Sequence, residues 1–227
     1  MMIGPEGYYE EYLKGKDADG VLRKIRSLKR EINRLKRTME HPDYKYVLHI
    51  HPSEETQLWC TRRYLARAKQ ALEEVGGVYQ PTPSEIRVED FDKNLQNIEK
   101  ITLHIGGFFG GWCTYTVRLD DHLHYWVDSM MIPTPTNFDI PEDYPMTKEE
   151  FLEELAGLHI GEWRKSYTLK RFGMDVLDGE QWELQIDYNN GRKPLKIYGD
   201  NAYPYNFDKF KELLGMDTEE EYPHTEF

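Results

Sequence analysis

The chain has 227 residues and a formal net charge of -12 at pH 7, from 29 Lys and Arg against 41 Asp and Glu. That balance argues against a protein wrapped in nucleic acid or resting on an anionic membrane, and the length suits one large domain or a smaller one with an appendage. Aromatic residues reach 13%, with 16 Tyr, 9 Phe and 5 Trp, too many for a disordered polyelectrolyte, so aromatic-rich cores are expected.

No window approaches the apolar length of a membrane span, and the start, MMIGPEGYYEEYLKG, lacks the basic-then-apolar order of a signal peptide. Cys60 and Cys113 stand far apart and in no C-x-x-C pair, which excludes a disulfide framework and a cysteine-built zinc knuckle. A cytoplasmic protein is expected.

In chain order, the first strong element is a basic helix. Val21, Ile25, Leu28, Ile32, Leu35 and Met39 step by four and three, the seam period of a coiled coil, with Asp19 as the expected cap and His41-Pro42 as the stop. The same stretch carries Arg23, Lys24, Arg26, Lys29, Arg30, Arg34, Lys36 and Arg37 against Glu31 and Glu40. A second helix is expected from Ser53 to Val75, ended by Gly76-Gly77, with Leu58, Leu65, Ala68, Leu72 and Val75 apolar. The two predict an antiparallel hairpin over residues 1–77, and Tyr44 to His51 between them reads as a short strand.

Residues 78–132 predict an antiparallel meander. Pro81-Thr-Pro83 reads as a linker and Val88 to Ile98 as a short helix. Ile101, Leu103 and Ile105, then Tyr115, Val117 and Leu119, then Leu123, Tyr125 and Val127 alternate with polar residues. The run Gly106-Gly-Phe-Phe-Gly-Gly111 matches neither phosphate-loop spacing and reads as a hairpin turn or bulge. Residues 133–145, with four prolines, read as a surface excursion.

Residues 133–215 predict a helix-hairpin-helix unit. Thr147-Lys-Glu-Glu150 is a capping box before Phe151, Leu152 and Leu155. Trp182, Leu184, Ile186 and Tyr188 alternate, Asn190-Gly191 signals a type I′ turn, and Leu195 and Ile197 return. A last helix near 206–214, with Asn206 as its cap, ends at Gly215, and 216–227 is an acidic tail. The fold class is α+β: antiparallel sheet with packed helices plus the N-terminal hairpin.

Trp182-Glu-Leu-Gln-Ile186 followed by Gly199-Asp-Asn-Ala-Tyr-Pro-Tyr-Asn-Phe207 resembles a C-terminal segment of uncharacterised bacterial and mobile-element proteins, over about residues 147–215. The resemblance implies a phage or mobile-element setting and no particular activity.

Two constellations bear on chemistry. His49 and His51, and His122 and His124, form two H-x-H pairs; on strands each pair shares a face, so the four read as candidate ligands of one divalent ion and as the basis of a metal-dependent enzyme. The eight basic residues of the first helix read as candidate phosphate contacts, or as the solvated flanks of the seam. Nucleophile motifs and cofactor fingerprints are not found. The leading expectation is a non-catalytic interaction protein without a cofactor, an inhibitor or accessory factor. It would bind a protein or ribonucleoprotein partner, touch nucleic acid through the basic helix, and pair with a second copy through the seam.

Overall fold

A computed structural model describes residues 3–46, 51–107, 111–120, 123–129, the backbone of 142–143, and then 146–174, 176 and 178–216. The chain divides between Thr82 and Pro83 into two compact units, and the fold is α+β.

In the first unit, α1 (Pro5–Tyr8) runs into a wider π-type turn over Tyr9–Leu13, then come α2 (Ala18–Met39) and α3 (Glu54–Glu74). Asp17 caps α2 rather than Asp19: its carboxylate accepts from the Gly20 amide at 2.8 Å, the distance of three residues that a capping side chain spans. Ser53 caps α3 as expected. Gly76 takes a positive φ of 74°, which lets the Gly77 amide reach back to the Leu72 carbonyl at 2.8 Å and stop the helix. Val21, Ile25 and Leu28 of the seam pack with Cys60, Tyr64, Ala68, Ala71 and Leu72, where two alanines let the helix backbones approach. Ile32 departs from the expected seam and is only half-buried.

The N-terminal segment closes this core. Tyr8 stacks on Tyr64 at 4.4 Å, the Tyr64 hydroxyl donates to the Ile3 carbonyl at 2.6 Å, and Leu13 is buried. The expected strand over Tyr44 to His51 is corrected at its start, where Tyr44–Tyr46 is a 3-10 turn; residues 47–50 lie outside the described residues.

In the second unit, α4 (Pro83–Lys93) starts five residues earlier than expected and ends five earlier, because Pro83 sits where a proline opens a helix and Ile98 already belongs to a strand. The strands β1 (Ile98–Gly107), β2 (Gly111–Leu119) and β3 (Leu123–Ser129) form the predicted meander, and β4 (Glu142–Asp143) extends it; the rest of 133–145 lies outside the described residues. After α5 (Lys148–Gly157), opened by the Thr147–Glu150 capping box, come β5 (Ser166–Thr168), β6 (Glu180–Tyr188), β7 (Leu195–Asp200) and α6 (Phe207–Leu213).

All seven strands share one sheet in the order β4-β3-β2-β1-β6-β7-β5, with only the β5–β7 pair parallel. Thus β1 joins the meander to the later hairpin, Leu103 lying opposite both Tyr115 and Leu184. Inward residues Ile101, Leu103, Val117, Leu184, Ile186 and Ile197 meet Phe91 of α4, Phe151 and Leu155 of α5, and Phe207 and Phe210 of α6. The Asn190-Gly191 turn is wider than type I′: only Gly191 has positive φ, and strand pairing resumes at Leu195 opposite Ile186. Asn206 stands at the start of α6 without capping it; it spans inward, donating to the Leu158 carbonyl at 2.7 Å and accepting from Trp163 Nε1 at 3.1 Å.

Candidate nucleic-acid interface

A seam on one side of α2 leaves the opposite side to solvent, and the arginines occupy it. Arg23, Arg26, Arg30, Arg34 and Arg37 recur at three- and four-residue steps and are all exposed, a stripe about 21 Å long at the rise of an α-helix. Arg34 is held bidentately by Glu31 at 2.7 and 2.9 Å, and Glu31 with the more distant Glu54 raises the guanidinium pKa further above its ordinary value. The same pairing holds the Glu31 carboxyl below the usual carboxylate range. Arg23, Arg26, Arg30 and Arg37 have no hydrogen-bond or ion-pair partner among the described residues.

The three lysines of the set behave differently. Lys24 lies over the Tyr12 ring at 5.1 Å, Lys29 donates to the Tyr79 hydroxyl at 3.1 Å, and Lys36 is half-buried. The structure sorts the eight cations into an outward arginine row and lysines on its flanks. An open polar depression of about 580 Å³, lined by Gly15, Lys16, Asp17, Gly20, Arg23 and Lys24, adjoins the row at its N-terminal end. Over residues 1–82 there are fifteen Lys and Arg against twelve Asp and Glu, whereas 83–227 hold fourteen against 29, so the cationic field belongs to the first unit.

Apolar spacing did not disclose two aromatic rings, Trp59 on α3 and Tyr46 in the 3-10 turn before it. Trp59 is 56% exposed and Tyr46 76% exposed. Arg63 lies over the Trp59 ring at 4.4 Å, and Lys45 over the Tyr46 ring at 5.0 Å. The signal was available: Trp59 falls outside the Leu58, Leu65, Leu72 seam and is followed by Arg62 and Arg63, an apolar ring with no core position to fill.

Of the four histidines, His49 and His122 lie outside the described residues. His51 is exposed in the first unit, just before α3; His124, on β3 of the second, places Nε2 3.1 Å from Asp120 Oδ1. Among the described residues, no group of three or more His, Cys, Asp or Glu is gathered as a metal would need.

On the outward face of the sheet, His104 stacks on Trp112 at 4.6 Å and shares a hydrogen bond of 2.8 Å with Thr114 Oγ1. Its charges are paired: Lys100 with Asp187 at 3.3 Å, Arg118 with Asp120 at 2.9 Å, and Lys196 with Glu183 at 3.4 Å. Of the glycine run, Gly107 lies opposite Gly111 in the β1–β2 pairing, beside a cavity of about 400 Å³ that Ile105, Cys113, Tyr115 and Lys211 line; residues 108–110 lie outside the described residues. Trp182, 2% exposed, is core. Among the described residues, α2 is thus the helix that sets four arginines without an ion-pair partner in one row. No helix among the described residues is long and apolar enough to cross a membrane. Comparison with family models, curated proteins and solved structures gives no match.

Proposed function

We propose that this chain is a non-catalytic binding protein whose N-terminal hairpin engages a nucleic acid, alone or as part of a ribonucleoprotein. The observation that carries the reading is the row of exposed arginines opposite the buried seam of α2. Guanidinium groups match phosphate oxygens in charge and in paired donor geometry. The seam itself is buried inside the hairpin, so pairing with a second copy would use another surface. Cys60 and Cys113 are not joined in a disulfide, which suits a cytoplasmic setting, and the C-terminal resemblance favours an accessory or inhibitory role in a phage or mobile-element context.

The test is salt-dependent binding to an oligonucleotide. With the four arginines that carry no ion pair on phosphates, the slope of log affinity against log salt is expected to be about -2.8 for a single strand. Joint reversal of Arg30, Arg34 and Arg37 to Glu is expected to abolish binding while leaving the melting temperature nearly parental. Salt-independent binding, or parental affinity in the triple variant, overturns the reading.

A further inference from the structure

The features at one end of the hairpin bear on which form of nucleic acid it takes. Tyr44 donates to Glu54 at 3.0 Å, tying the 3-10 turn after α2 to the first turn of α3. Glu54 in turn lies close enough to Arg34 to act on its charge. Arg34, the 44–46 turn and the start of α3 are therefore neighbours. Tyr46 stands out from that turn, and Trp59 lies five residues into α3, about 7.5 Å along its axis. Both rings are exposed, and both carry a cation against them.

Exposed indole and phenol rings, each with a cation against it, at the end of the hairpin that the arginine row reaches are the two components that single strands require. Unpaired bases offer their faces for stacking, and the backbone is tracked by cations. A duplex hides its base faces inside the stack and gives such rings nothing to lie on.

We infer that the hairpin selects single-stranded over duplex nucleic acid, with unpaired bases stacking on Trp59 and Tyr46 while the phosphates follow the arginine row of α2. This rests on the binding function proposed above and names the class of ligand. The Arg63 guanidinium over Trp59 holds the indole in place and supplies positive charge beside the stacked base. Because every base has a π face, the stacking is tolerant of sequence, and discrimination falls between paired and unpaired strands.

The experiment measures fluorescence anisotropy of the full chain with a labelled 20-mer of uridine, and with the same strand annealed to its adenosine complement. The single strand is expected to bind more tightly. Trp59→Ala is expected to weaken single-strand binding about 10- to 100-fold, the loss of one stacked base, with the salt slope unchanged. Trp59→Phe is expected to keep most of the affinity, and Tyr46→Ala to lose less than Trp59→Ala. Since Trp59 is outside the core, each variant is expected to melt like the parent. Equal or tighter duplex binding, or parental single-strand affinity in Trp59→Ala, overturns the selection for unpaired strands and leaves the arginine row intact as a phosphate contact. Absence of binding to either form overturns the proposed function itself.

Discussion

Trp182 shows how one side chain fixes its surroundings. Its indole Nε1 donates to the Ala202 carbonyl at 3.1 Å, and the ring lies so close to β7 that a Cβ at Gly199 would stand 1.8 Å from that nitrogen. Truncating Trp182 to Ala is expected to cost roughly 3–5 kcal/mol through the cavity left behind. Gly199→Ala, which adds one carbon, should destabilise by a comparable amount through overlap; a melt of either variant that matches the parent would return the indole to the surface. Tyr44 supplies a test in pH. Burial first, and then the hydrogen bond to Glu54, push its hydroxyl up to about 12 from an ordinary 10.0. A folded-state pKa above the unfolded one means that the contribution is complete below about pH 10 and is lost as pH rises toward about 12. The stability gap between parent and Tyr44→Phe should therefore narrow across that window in alkaline denaturation followed by circular dichroism; a gap constant with pH counts against it. Period-two patterning made the burial of Trp182 legible in the sequence. The role of Asn206 was not legible, because Trp163 and Leu158 lie 43 and 48 positions away and nothing local encodes their approach.

At the scale of elements, the helical seam was readable from apolar spacing, and the structure refines it. Ile25 is buried among α2–α3 core residues, and Ile32, about two turns further on, is only half-buried. Ile25→Ala is expected to cost about 2–5 kcal/mol, and Ile32→Ala about 1 kcal/mol or less, in parallel thermal melts. Equal costs would mean that the seam runs straight through Ile32. What the spacing did not convey is the covering of this hairpin by residues 3–13, since an arrangement of Tyr8 on Tyr64 and Tyr9 under the Arg67 guanidinium at 3.9 Å depends on side chains 56 and 58 positions apart in sequence meeting in space. Arg67 also pairs with Glu6 at 2.9 Å and Glu74 at 3.1 Å, so the same cation fastens the N-terminal segment to the end of α3. The element most visible in composition, the basic helix, also keeps four arginines, Arg23, Arg26, Arg30 and Arg37, without a hydrogen-bond or ion-pair partner among the described residues.

At the scale of the whole molecule, charge and topology separate the two units. Residues 83–227 hold 29 acidic side chains against fourteen basic, and self-repulsion on that scale weakens a compact state until salt screens it. Calorimetry of the full chain should show the transition that Trp182→Ala displaces moving upward as salt is raised from about 0.01 to about 0.15 M, where the Debye length falls from about 30 to about 8 Å. A transition indifferent to salt would show that the local ion pairs already neutralise the unit. The individual hairpins of this unit could be read from alternation, but their union could not, because the pairing of β1 with β6 leaves no periodic trace in either strand. That union has a consequence for synthesis. Once Ile101 is made, the side of β1 that faces β6 is a bare edge of amides and carbonyls at that position until its partner Ile186 is made, roughly 85 residues later. At about 5–20 residues per second the nascent chain carries this adhesive margin for about 4–17 s.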